Sequence, residues 1–102
     1  MSDNSGIKND RKQIMEYYGI NLQLFKMIEE LTEATTEVIK VLSGKPDACI
    51  KSLVEELADV ALLSDQIIDY YGAGCAFSET YLYKLRRTLK RISEEKERDK
   101  HE

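Results

Sequence analysis

Two stretches of the chain each carry a pair of carboxylates three residues apart, Glu30 with Glu33 and Glu56 with Asp59. On an α-helix that spacing puts both members of a pair on one face. The turn-forming Gly44-Lys45 lies midway between the pairs, since 33 and 56, like 30 and 59, sum to 89. A helical hairpin folded there sets Glu33 opposite Glu56 and Glu30 opposite Asp59, at depths of roughly 17–22 Å from the turn. Four carboxylates at one level repel one another, and in a partly dry site they shift pKa or splay apart. A hard divalent cation resolves the conflict, because Mg²⁺ takes oxygen ligands in octahedral geometry and keeps waters that a phosphate can displace. The single histidine, His101, stands in a charged tail. An all-carboxylate donor set favours Mg²⁺ or Mn²⁺ over zinc, and over the Glu-x-x-His di-iron bundles.

An ordinary explanation competes with this one. With 33% charged residues, a helical chain carries many Glu at this spacing simply as a solvated face. Glu55, Glu79, Glu94, Glu95 and Glu97 read that way. What sets the two pairs apart is their mirrored placement about a turn. Periodicity carries the argument no further.

The elements that must position these groups are helices. Glycine and proline fall at Gly19, Gly44, Pro46, Gly72 and Gly74, and the stretches between them have helical rather than alternating periodicity. The first helix is expected over 10–18 with Asp10 as N-cap, and Gly19 ends it. The second is expected over 22–42 with Asn21 as N-cap and a buried stripe of Phe25, Ile28, Leu31, Val38, Ile39 and Leu42. The third starts between Asp47 and Leu53, capped by Asp47 or Ser52, ends near Tyr71, and places Leu53, Leu57, Val60, Ser64, Ile67 and Tyr71 at helical spacing. The fourth is expected over 79–92 with Ser78 as N-cap, with room to extend into the tail, and Leu82, Leu85, Leu89 and Ile92 form its apolar face. Four helices joined by short links make an all-α antiparallel bundle the expected fold.

A length of 102 residues suits one domain, here 10–93, between a flexible N-terminus (1–9) and a charged C-terminal tail (94–102). No apolar run approaches the roughly 20 residues of a membrane span, and the first ten residues are too polar for a signal peptide. Cys49 and Cys75 form no C-x-x-C pattern and read as reduced thiols, partly buried as small hydrophobes. A cytoplasmic protein with no membrane partner is the expectation. A net charge of −4 disfavours a nucleic-acid backbone as partner.

The segments Glu29-Glu30-Leu31-Thr32-Glu33 and Glu55-Glu56-Leu57-Ala58-Asp59-Val60 resemble the EExxE…ExxD signature of the MazG-like, all-α nucleoside triphosphate pyrophosphohydrolases. Gln23-Leu24 ahead of the first motif and Lys84-Leu85-Arg86-Arg87 with Arg91-Ile92 downstream are similar to the family's text as well, so the likeness spans about 17–92. The resemblance implies that Glu30, Glu33, Glu56 and Asp59 are metal ligands. Bound Mg²⁺ then grips a triphosphate and activates water at the α–β phosphoanhydride, giving a monophosphate and pyrophosphate. Glu29 or Glu37 would serve as an outer ligand or orient that water. Lys84, Arg87 and Arg91 share one stripe of the fourth helix and would hold phosphate oxygens, although a solvated basic face reads equally well. Tyr17, Tyr18, Tyr70 and Tyr71 are candidates for base stacking, set against the commoner core or interface role of such aromatics. Two departures stand out. The chain has no Trp, which many relatives carry near the base pocket, so base preference does not carry over. It also lacks the Ser-Tyr-Thr stretch usual in the phosphoribosyl-ATP pyrophosphohydrolases.

Two functions are therefore expected as alternatives. One is a Mg²⁺-dependent pyrophosphohydrolase of nucleoside triphosphates that clears aberrant or excess nucleotides. The other is a non-catalytic helical module whose fourth helix and tail bind a protein partner. In either case a homodimer or homotetramer is expected, since so small a unit gains core by pairing.

Overall fold

The computed structural model describes residues 5–45 and 50–101. Among them are four helices and no strand: α1 (Ser5–Tyr18), α2 (Ile20–Ser43), α3 (Ile50–Tyr70) and α4 (Gly74–Lys100). The all-α class follows from the sequence as expected. The helix starts do not. Asp10, Ser52 and Ser78 lie inside α1, α3 and α4 instead of capping them. Each is tolerated in a helix, and none is preceded by a residue that forbids another turn. Asp47, the other proposed cap, lies outside the described residues together with Pro46 and Cys49.

Gly19 explains why Asn21 is not the cap of α2. Its N–H donates to the Met15 carbonyl at 2.8 Å, closing α1, and its own carbonyl accepts from Gln23 N–H at 3.2 Å, opening α2. One residue ends one helix and starts the next. It does so at φ 85°, ψ 158°, a region essentially reserved for glycine. Gly44 ends α2 in the left-handed conformation at φ 61°, ψ 31°, with its N–H on the Val41 carbonyl, as its position in the sequence leads one to expect.

The chain divides into two units, Met1–Gly72 and Ala73–Glu102, and each is described by itself. In the first, α2 and α3 pack along their lengths and α1 lies against both. Arg11 Nε on α1 holds Asp69 Oδ2 on α3 at 2.8 Å. Between α2 and α3, Gln23 Nε2 donates to Gln66 Oε1 at 2.8 Å, and 23 plus 66 is again 89. The antiparallel register inferred from the turn is the register observed.

The face that α2 turns inward is not the expected one. Phe25, Ile28, Leu31, Val38, Ile39 and Leu42 are all exposed, Phe25 by 71%. The buried residues of α2 are Gln23, Glu30 and Ala34, with Met27, Glu37 and Val41 half-buried at the same period. Successive residues turn about 100° around the helix, which puts the apolar stripe of Leu24, Ile28, Leu31, Val38 and Leu42 roughly a quarter-turn from this seam. On α3 the expected stripe holds in part: Leu53, Val60, Ser64 and Ile67 are half-buried, Leu57 and, just past the helix, Tyr71 are exposed, and the deepest residues are Leu63 and Gln66.

In the second unit α4 runs on through the charged tail to Lys100. Leu82, Leu85, Leu89 and Ile92 share one face and are exposed. The Phe77 ring pairs with Tyr81 at 6.2 Å. Cys75 is free, as expected, but exposed.

A Cβ at Gly19 would meet nothing within 4 Å, so Gly19→Ala tests the backbone alone. It should cost about 1–3 kcal/mol in urea unfolding, more than Gly44→Ala. Equal costs would show that the corner at 19 is not conformationally constrained.

Candidate metal centre

The seam brings Glu30, Glu56 and Asp59 together, with one carboxylate oxygen from each lying within 4.8 Å of the others. A second group, Glu29, Glu30 and Glu33, meets the same criterion on α2 alone. Glu30 belongs to both and is the deepest, at 5% exposure, because it occupies the stripe that α2 turns toward α3. Glu56 is half-buried, whereas Glu29, Glu33 and Asp59 are exposed. Helix rise and register alone place these groups at one level.

The cluster lacks donors. Glu30 Oε2 and Glu56 Oε2 are buried with no hydrogen-bond partner among the described residues. Two ionised carboxylates are acceptors only, so neither can satisfy the other. A proton or a cation must supply the missing partner. Lys26 serves other oxygens of the cluster, with its Nζ 3.2 Å from Glu29 Oε1 and 3.3 Å from Glu30 Oε1. Those hydrogen bonds, to Glu29 first and Glu30 next, raise the Lys26 pKa above its ordinary value.

Protonation follows the crowding. Burial pushes the Glu56 carboxyl up to about 7, and the neighbouring Glu30 and Glu33 add to the effect. Burial pushes Glu30 the same way, but hydrogen bonds from the Glu56 carboxyl and from Lys26 outweigh it and leave Glu30 below the usual carboxylate range. Glu56 therefore keeps its proton to higher pH than Glu30 and is only partly ionised near neutrality, where Glu30 is ionised. The donor set of oxygens alone suits Mg²⁺ or Mn²⁺ in place of that proton, and the two orphaned buried oxygens are what such an ion would satisfy.

The other candidate residues are placed as follows. Glu37 lies outside both acidic groups and binds Lys40 Nζ at 3.4 Å. Lys84, Arg87 and Arg91 lie on α4, in the second unit. Lys84 and Arg91 are exposed and Arg87 half-buried, its guanidinium 5.6 Å from the Tyr83 ring centroid. Arg87 lines a groove with Arg86 and Lys90, and not with Lys84 or Arg91. Of the four tyrosines considered for base stacking, Tyr18 lines a cavity of about 450 Å³ that reaches Glu29, Glu30 and Asp59. Tyr70 lines a different one, between α1 and α3.

Sequence reasoning missed Lys26, Gln23 as a site residue, and Gln66. Lys26 stands at i−3 and i−4 from Glu29 and Glu30, the spacing at which helix ion pairs form. Gln66 is the residue that the sum of 89 pairs with Gln23. Both signals were present. No family model, curated protein or solved structure matches the chain.

The raised Glu56 pKa has a consequence for stability. The unfolded carboxyl releases its proton near 4.5 and the folded one near 7. Between those values the folded state binds the extra proton, so metal-free stability from this group falls as pH rises through that window and levels off above it. Glu30, shifted down, adds stability above 4.5 that is lost only in more acid solution. Melting temperatures in EDTA from pH 5 to 8.5 should therefore decline toward pH 7, and Glu56→Gln should flatten the decline. A slope unchanged by Glu56→Gln would place its source elsewhere.

Proposed function

We propose that the chain is a Mg²⁺-dependent nucleoside triphosphate pyrophosphohydrolase, cleaving the α–β phosphoanhydride to yield a monophosphate and pyrophosphate. The observation that carries the reading is the buried Glu30 carboxylate, whose Oε2 has no partner among the described residues and which lies with Glu56 and Asp59. The sequence resemblance to the MazG-like enzymes supplies the reaction. Glu30, Glu33, Glu56 and Asp59 hold the ion or ions, with Glu29 the nearer outer carboxylate and Glu37 the farther. Bound there, Mg²⁺ or Mn²⁺ supplies charge neutralisation for the triphosphate and a water of lowered pKa. Lys84, Arg87 and Arg91 bind phosphate oxygens as charge-assisted donors. The cellular role is clearance of unwanted nucleotides in the cytoplasm. No described helix is long and apolar enough to cross a membrane.

The functional assembly is an antiparallel helical bundle in a homodimer or homotetramer. Its support is the exposed apolar stripes, Leu24, Ile28, Leu31, Val38 and Leu42 on α2 and Leu82, Leu85, Leu89 and Ile92 on α4, since contiguous exposed apolar surface marks interaction sites. The α4 stripe also supports the second reading, a non-catalytic module that docks a protein partner.

A panel of nucleoside triphosphates with Mg²⁺ separates the two. Wild type should release pyrophosphate from at least one. Glu33→Ala or Asp59→Ala should reduce turnover beyond the about 10–100-fold typical of outer-shell losses while keeping helicity. Millimolar Mg²⁺ should raise the melting temperature by mass action. No turnover across the panel, or orthophosphate as the only product, overturns the enzyme reading.

A further inference from the structure

The amide pair at Gln23 and Gln66 is as deeply buried as the hydrophobic core beside it. Gln66 is only 2% exposed and Gln23 6%, and their single mutual bond spans 2.8 Å between α2 and α3. Each side-chain amide offers two hydrogens and two acceptor lone pairs. The bond between them engages one Gln23 hydrogen and one Gln66 lone pair, which leaves the Gln66 amino group and the Gln23 carbonyl as an adjacent donor and acceptor. Exchanging O and N in both amides preserves that pattern. An apolar pair of the same shape would fill the seam without needing partners.

Both glutamines line the cavity of about 450 Å³ that also touches Glu30 and Asp59. Lys26 and Glu29 join them on the carboxylate side, and the rest of the wall is aromatic and aliphatic, including Tyr18, Leu22, Phe25 and Leu62. Such a wall with a few convergent polar groups is how small-molecule sites are built. The spacing is regular. Gln23 and Glu30 are seven residues apart on α2, as are Asp59 and Gln66 on α3. Two helical turns, about 10.5 Å, separate the amide level from the carboxylate level. That is comparable to the distance from the edge of a nucleobase to its first phosphate.

We propose that this cavity is a nucleobase pocket: Gln23 and Gln66 read the base edge through one donor and one acceptor, and Tyr18 and Phe25 flank the ring. The proposal rests on the pyrophosphohydrolase reading for the identity of the ligand. It makes the two glutamines specificity-determining residues that touch substrate but not the reacting atoms.

Two measurements on the full chain test it. The first uses nucleosides without phosphate or metal, titrated into ¹⁵N-labelled protein while the side-chain amide signals of Gln23 and Gln66 are followed, assigned from Gln23→Met and Gln66→Met. At least one nucleoside should shift both signals. Signals unmoved by every base overturn the pocket. The second compares kcat/KM across the triphosphate panel for wild type and the double variant Gln23→Met/Gln66→Met, whose shape keeps the seam filled. Discrimination between best and worst base should fall by on the order of 10–100-fold, the range of one bidentate base contact, with helicity retained. An unchanged ranking would make the pair structural only. Nucleoside binding without any triphosphate turnover would sink the enzyme reading and leave the pocket standing, and turnover with an unchanged ranking would do the reverse. Should the double variant fail to fold, either single variant gives the same comparison.

Discussion

Everything in the first unit depends on a seam between two antiparallel helices whose facing stripes are polar. Where α2 meets α3 it presents Gln23, Glu30 and Ala34, and α3 answers with Leu63 and Gln66. Buried polar groups bind more selectively than apolar ones, because a slipped register leaves them unsatisfied. A shift of one helical turn would part Gln23 from Gln66 and move Asp59 away from Glu30. An apolar seam would tolerate such a slip far better. The polar stripe thus fixes the level at which the carboxylates meet, although it contributes less to stability than the same area of hydrocarbon.

That choice leaves little conventional core. Among the described residues only Met15, Ala34 and Leu63 are buried hydrophobics. Three such side chains do not offset the ordering of a unit this size. The shortfall has two remedies consistent with the geometry. A cation in the carboxylate cluster would remove the repulsion that the seam now stores, and a covering surface on the α2 stripe would bury the apolar residues that face away from it. The same features that make the unit suited to binding make its isolated form marginal.

Legibility from sequence divides along these lines. The level of the four carboxylates was readable because helix rise is uniform and Gly44 marks the turn, so residue numbers alone set the register. Gly19 and Gly44 were readable as stops, since glycine is the residue that takes a positive φ without strain. The buried face was not. Single-sequence periodicity detects an apolar stripe, and α2 has a good one in Leu24, Ile28, Leu31, Val38 and Leu42, but it says nothing about which neighbour covers that stripe. The stripe that packs on α3 contains a glutamine and a glutamate and is invisible to any hydrophobic count. The caps failed for a related reason. Asn21 and Ser78 are good caps, but the backbone at Gly19 and the run from Gly74 onward had already begun each helix.

Lys26 shows how the chain itself offsets part of the cluster's charge. It lies one turn ahead of Glu29 and Glu30 and bonds to both, so it lowers the local charge without closing the site, since its stem is flexible and half of its side chain remains in solvent. The proton held near neutrality by Glu56 does the same on the other helix. A divalent cation entering the cluster competes with both, displacing an ammonium that can swing to solvent and a proton that leaves readily at pH 7. Neither placeholder is costly to remove at that pH. Acid solution strengthens the proton's hold but not the ammonium's, so any cation affinity at this seam would weaken with falling pH, first through Glu56. Lys26 lines the same cavity as Glu29, Glu30 and Asp59, so an ammonium released from the carboxylates would still face any anion bound there.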